Sequence, residues 1–479
     1  MEFIKYFNKN IAKIAPVAFV VLTLFISLVK IPFYDETQAL IISRLDLSQM
    51  FQISRIEGHP ILWYLILKPF NSFELYPYPM MIINWIFASA TIFVLWKFAP
   101  FNNLVKFLIT FSYPFFQYYG VVSRPYTLAV LVIFLLATLY KNSFKKPLLY
   151  SFLLVLCANI SVISAFVAFG FGIVFIYEIF KNKLNKKDLV LLFLILFFGA
   201  LILISQLCGF ETPKMQSTNA HLEFIKELKT FLFNPFDNFF EKNINQNLLR
   251  ICVFVSFYYF SFLFFKKDKK ALILFLIPTA LMITMFLFIY VGDFWHYHFV
   301  LITFIAVMWV SLEKIEDNKI VNILFVALIL LNMTSFSISK DGTNKTQKGI
   351  FYSKALKILT QEKYKNAKLF CNDYYMYISP GLLYYLKKEG IIIYDIQNND
   401  SMSFESIKNI RNASYHKDIS LNLKKNRDKN KENYYIVISN NINKYKSYQY
   451  EENGEKIFFE LVEAYPELYL LIYKINFET

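Results

Sequence analysis

Charge is scarce in this sequence. Aspartate, glutamate, lysine and arginine make up 18% of the 479 residues, hydrophobic residues make up 56%, and the mean hydropathy is +0.41. So few charges cannot cover the surface of a soluble fold, and apolar runs of about 20 residues, each long enough to cross a bilayer, recur along the chain. A soluble enzyme, a disordered protein and a DNA-binding module are disfavoured together. Cysteine is scarce too: Cys157, Cys208, Cys252 and Cys371 lie far apart with no CxxC pair, so neither a disulfide framework nor a zinc site is indicated. Walker A, GxGxxG and GxSxG motifs are absent, which removes support for a water-soluble nucleotide donor. The charge that is present is mostly basic, +15 net with a pI near 9.2. In a membrane protein lysines gather on cytoplasmic loops, so this excess does not call for nucleic acid.

Eleven apolar runs could each span: 14–32, 79–98, 104–119, 122–140, 147–160, 161–180, 188–207, 248–265, 271–290, 298–312 and 320–338. The lysine-rich connections at 97–106, 141–146, 181–188, 266–270 and 313–319 alternate with weakly basic ones. With the N-terminus cytoplasmic and the first run a retained signal anchor, all five fall on the inner side of a plasma membrane. The segment HPILWYLILKPF at 59–70 is too short to cross without inverting this order, so a re-entrant or interfacial helix is expected there. The first outer loop then runs over 33–78, with an amphipathic pattern after Thr37 that suits a helix lying in the headgroup region. The fold class that follows is mainly α: a polytopic domain over 1–339 with about eleven transmembrane helices, then a small extracytoplasmic α/β domain over 340–479. In the latter, strands are expected at 367–371, 391–396, 434–439 and 468–475, and a helix over 381–388.

Polar groups that topology does not explain mark the candidate sites. Asp35 and Glu36 follow the first span directly, where a carboxylate is costly if it enters the apolar phase; a solvated loop pair is the alternative. Glu57-Gly58-His59-Pro60 forms a sharp turn that pairs an acid with a histidine, or else merely starts a helix. Lys68 either snorkels or offers its ammonium to a phosphate. Arg124, in Ser123-Arg124-Pro125-Tyr126, sits at the outer end of a helical hairpin against the positive-inside rule, and its guanidinium suits a phosphate, a carboxylate or a neighbouring acid. Asp293, His296 and His298 crowd one outer turn with Phe294, Trp295 and Tyr297. Contact with a sugar, a phosphate or an acid fits them better than metal binding, since no strong ligand motif is present, and an interfacial aromatic turn is the plain alternative.

Taken in order, the basic N-terminus and first span, the segment FYDETQALIISRLDLSQMF, the segment EGHPILWYLILKPF and the pattern YYGVVSRPYTLAVLVIFLLATL resemble the C-type glycosyltransferases. More narrowly they are similar to the bacterial relatives of protein mannosyltransferases and aminoarabinose transferases, often grouped as family 39. The resemblance implies transfer of a sugar from a polyprenyl phosphate carrier to a protein, lipid or glycan acceptor outside the membrane. It implies Asp35 as the general base, with Glu36 orienting or replacing it, and Arg124 with Lys68 on the lipid phosphate. Glu57, His59, Tyr126, His296 and His298 would line the substrate pocket; no cofactor is indicated, and a divalent metal stays open but without support in the sequence. The EGHP entry departs from the K-P-P type of the aminoarabinose branch, which leaves the roles of Glu57 and His59 open. A lipid-linked polysaccharide ligase or polymerase, needing arginine and histidine but not Asp35, is the rival enzyme. A transporter or flippase is the rival of another class, with sparse charges in the spans and no visible inverted repeat against it.

Overall fold

In the computed structural model the described residues are 2–30, 32, 34–57, 59–70, 77–182, 184–207, 257–289, 294–311, 354–371, 380–395, 400–402, 430–438, 447–452, 455–465 and 470–477. Apolar runs become helices because each backbone polar group can then be satisfied within its own segment. The helices are α1 (Glu2–Val29), α2 (Tyr34–Ser43), α3 (Leu47–Glu57), α4 (Leu62–Leu67), α5 (Tyr78–Phe98), α6 (Asn103–Phe111), α7 (Pro125–Leu139), α8 (Pro147–Ala158), α9 (Val162–Asn182), α10 (Lys186–Leu207), α11 (257–265), α12 (Lys269–Phe288) and α13 (Phe294–Ser311). Six stretches among the described residues are long and apolar enough to cross a membrane: Asn10–Val29, Tyr78–Phe98, Pro125–Asn142, Val162–Asn182, Lys186–Leu207 and Lys269–Phe288.

The other expected spans come out differently. The run at 104–119 is broken: α6 stops at Phe111, Ser112 is extended, and Pro114–Tyr119 forms a π-helical turn. Proline there cannot donate to the preceding turn and its ring crowds the carbonyl four residues back. Helix α8 has 12 residues, about 18 Å of rise, short of a hydrocarbon core of about 30 Å. Helix α13 begins at Phe294, earlier than the expected 298. Of 248–265 only 257–265 is described, and 320–338 lies outside the described residues. Segment 59–70 forms α4 and a 3-10 turn at Lys68–Phe70, too short to cross.

The chain divides into two compact units. One comprises Met1–Val29 with Asp46–Lys340, the other Lys30–Leu45 with Asp341–Thr479. In the first, α8 packs against both α9 and α10, α9 against α12, α5 against α1 and α7, and α13 against α7 and α12. Gly170 explains the closeness of α9 and α12: a Cβ there would sit 2.6 Å from Cγ of Pro278. Several helix hydroxyls bond their own backbone, as Thr23 does to Phe19, Thr110 to Lys106 and Thr303 to Phe299, which satisfies them within an apolar surrounding.

The second unit holds α14 (354–359), α15 (Glu362–Lys365), α16 (Pro380–Lys388) and a seven-stranded sheet. Its strands are β1 (Lys368–Cys371), β2 (Ile393–Asp395), β3 (Asp400–Met402), β4 (Asn433–Ile438), β5 (Tyr448–Glu452), β6 (Glu455–Tyr465) and β7 (Leu470–Phe477), in the order β3-β2-β1-β4-β7-β6-β5. β1 runs parallel to β2 and β4, and α16 forms the β1–β2 crossover. Gly390, at φ +72°, ends that crossover, with Ile391 N–H donating back to the Leu386 carbonyl. Register carries Phe370, Tyr435 and Tyr473 across one face into a core completed by Ile457, Phe459, Leu471 and Ile475. α2 packs on α16, and residues 36–43 are all buried, so the amphipathic surface helix expected after Thr37 is an enclosed one.

Candidate functional site

The polar centre of the helical unit is assembled from three distant stretches. Arg124 is the first. It precedes Pro125, the first residue of α7, and the proline ring pushes the residue before it out of the helical region. Arg124 is accordingly extended, at φ −129° and ψ 160°, so its side chain leaves the helix at the N-terminus. The loop that delivers it is set by Gly120, where a Cβ would lie 2.7 Å from the Phe115 carbonyl oxygen.

His59 comes from the turn between α3 and α4, and His296 from the first turn of α13. Arg124 Nη2 lies 3.3 Å from His59 Nε2, and the guanidinium stands over the Tyr126 ring at 5.7 Å. Tyr126 Oη is 3.2 Å from His59 Nε2 and 2.6 Å from His296 Nε2. The indole N–H of Trp295 donates to His296 Nε2 at 3.2 Å, while the Trp295 ring stacks on Tyr118. Tyr119 Oη donates to the Trp295 carbonyl, and the Tyr119 carbonyl accepts from Thr127 and Asn84, which ties α7, α5 and α13 together. Arg124 is 7% exposed, His296 5% and Tyr126 0%.

The turn carrying His59 has its own anchor. Ile61 N–H donates to Gln206 Oε1 at 2.7 Å, Gln206 Nε2 donates to Asn159 Oδ1, and Asn159 Nδ2 donates to the Gly199 carbonyl. Ser54 of α3 donates to the Gln206 carbonyl. One buried amide thus joins α3, the His59 turn, α8 and α10.

No family model, characterised protein or solved structure matches the chain.

The site's own chemistry is therefore its guide, and donor bookkeeping is informative. Arginine and indole N–H groups can only donate, so His296 Nε2 accepts, from Trp295 and from the Tyr126 hydroxyl. That places the His296 proton on Nδ1 and commits the Tyr126 proton to the shorter bond. His59 Nε2 then faces two demands: accepting from Arg124 needs its lone pair, whereas donating to the Tyr126 oxygen needs a proton. It cannot meet both.

The remaining candidates fall elsewhere. His298 is two residues from His296 on a continuous helix and so faces a different direction, with its ring against Tyr113 at 6.1 Å. Lys68 is half-buried on the 3-10 turn after α4. Glu57 ends α3, its side chain lying outside the described residues, as do Gly58 and Asp293. Asp35 and Glu36 belong to the other unit, in the first turn of α2. Glu36 is fully buried and accepts from the Lys30 ammonium at 2.6 Å, while Asp35 is half-buried. Sequence reasoning passed over Lys30, Trp295 as a hydrogen-bond donor, Asn159 and Gln206. The last had one signal, a side-chain amide at the very end of an apolar run.

Proposed function

We propose that the chain is an integral membrane glycosyltransferase that moves a sugar from a polyprenyl phosphate carrier to an acceptor on the extracytoplasmic face of the plasma membrane. The observation that carries this is Arg124, a desolvated guanidinium at the N-terminus of an apolar helix. The helix dipole is positive at that end, so a cation there is not placed to satisfy the helix; guanidinium and dipole together favour an anion. A lipid phosphate is an anion that reaches helix ends from within the bilayer.

In the reaction the acceptor hydroxyl attacks the sugar's anomeric carbon as the bond to the phosphate oxygen breaks. Arg124, with Lys68 as a second cation, stabilises the charge that gathers on the departing polyprenyl phosphate. Asp35 takes the acceptor proton. Glu36 is the less suitable base because Lys30 occupies its carboxylate, so it positions α2. His59, Tyr126 and His296 hold the sugar or phosphate oxygens. Direct attack inverts the anomeric centre. In this reading the basic loops favour a cytoplasmic N-terminus, with the second unit outside.

The test is to incubate the purified chain with radiolabelled polyprenyl phosphate sugars and membrane extract and to identify the labelled product. Label should move to an acceptor, and Arg124→Ala should bind the donor at least tenfold more weakly. Transfer that survives Asp35→Asn undiminished points instead to a lipid-linked polysaccharide ligase, which an arginine and histidine cluster alone can serve. Flux into liposomes without transfer points to a transporter.

A further inference from the structure

Helix α8 packs against α9 on one side and α10 on the other, and the three line a cavity of about 240 Å³ that is open on one side. Its lining is apolar throughout. Small residues keep it open, Ala158 on α8, Ala165, Ala168 and Gly172 on α9, and Ala200 on α10. Gly172 is decisive among them. A Cβ built there meets nothing nearer than Leu154 Cδ1 at 4.0 Å, whereas Gly170, on the opposite side of the same helix, is jammed against Pro278.

A water molecule needs two to four polar partners, and this lining, apolar in all its side chains, offers too few. The polar groups nearest in sequence, Asn159 and Gln206, are bonded to each other and to backbone. An empty space of this size forfeits the contacts that close packing supplies. α9 and α10 each have the length and hydropathy of a membrane span, so the filler at hand is hydrocarbon.

We infer that the cavity is a binding site for one acyl chain of a bilayer phospholipid. The lining runs along α9 from Ala165 to Ile176, a rise of about 16 Å. Half of a hydrocarbon core is about 15 Å, the depth an acyl chain reaches. A polyprenyl chain is methyl-branched and much longer, so the fit favours the phospholipid. The bound chain wedges α10 against its neighbours, and α10 carries Gln206, which holds the His59 turn. This inference stands apart from the glycosyltransferase reading.

Native mass spectrometry of the full chain, stripped in mild detergent and then exposed to dioleoyl phosphatidylglycerol, decides it. The wild type should keep one phospholipid per chain. Gly172→Leu and Ala168→Leu, which fill the cavity, should lower that occupancy at least tenfold with unchanged helical circular dichroism. A wild type that keeps none, a filled variant that keeps as much, or preferential retention of polyprenyl phosphate would overturn it. Should the variants lose helicity, wild-type photolabelling with a phosphatidylethanolamine bearing a mid-chain diazirine takes their place. Adducts on 165–176 and 196–203 support the site; adducts spread evenly over exposed faces such as Phe25 and Phe93 sink it.

Discussion

The two units of this chain treat the same side chains in opposite ways. In the helical unit Phe93 and Phe197 are each 58% exposed, while Asn84 and Gln206 are buried. In the C-terminal unit Leu471, Ile472 and Tyr473 are fully enclosed, and the pair Lys474 and Glu432 stands in the open. The difference fits long apolar helices that suggest a membrane protein, beside a sheet that carries exposed ion pairs. It also tells where to look for function. Burying a polar group in the helical unit is costly unless it is bonded, and two of the bonded groups gather around Arg124 and around Gln206. Lys106 follows the same rule, its buried ammonium capping the Trp96 carbonyl near the end of α5.

The widest test of this contrast asks whether activity draws on both units. Asp35→Asn should lower sugar transfer by about 10²–10⁴-fold with donor binding intact, the loss expected of a general base. Arg124→Ala should act mainly on donor affinity, and identical effects of the two substitutions would erase the division of labour. Next comes stability. Ile472→Ala, in the sheet core, should cost about 2–5 kcal/mol, whereas Phe197→Ala on α10 should stay within about 0.5 kcal/mol. Unfolding of the full chain in detergent, followed for each unit, checks this; equal losses would mean that α10 does not face lipid.

A smaller effect is expected inside the helical unit. Gln206→Leu strands the Ile61 N–H and Asn159 Oδ1 and should cost about 1–3 kcal/mol. Because the chain has only five histidines, ¹⁵N-histidine labelling can also ask whether the His59 signal moves, as loss of its anchor requires. The smallest effect lies on the sheet. The Lys474 ammonium and the Tyr434 hydroxyl hold the Glu432 carboxyl below the usual glutamate value. A depressed carboxyl stabilises the fold above the unfolded-state pKa, and this is lost as the pH falls through the acid range. For so exposed a pair it amounts to well under about 1 kcal/mol, and Glu432→Gln should flatten that part of the pH profile.

Much of the helical unit was legible because a span needs only its own residues: length and hydropathy mark α5, α9, α10 and α12. The strands β1, β2, β4 and β7 were legible from alternation and turn residues. β5 and β6 were not. Their glutamates interrupt the apolar pattern, and β6 carries an irregularity between Leu461 and Glu463 that shifts its period. For the site, arginine and histidine at helix ends could be picked out singly, since topology gave them no reason to be there. Their meeting could not, because the contacts of Arg124 with His59 and of Tyr126 with His296 span 65 and 170 residues.

The sequence by itself determined that this is a chain of apolar helices followed by a small mixed sheet, with few charges and those few in telling places. Tertiary structure alone decided the rest. It gathered His59, Arg124, Tyr126 and His296 into one hydrogen-bonded group, gave Glu36 to Lys30, and folded residues 30–45 with the C-terminal unit. The physical reason is that hydropathy and periodicity are local sums along the chain. Which donor meets which acceptor is settled only when helices pack and each buried polar atom must find its partner.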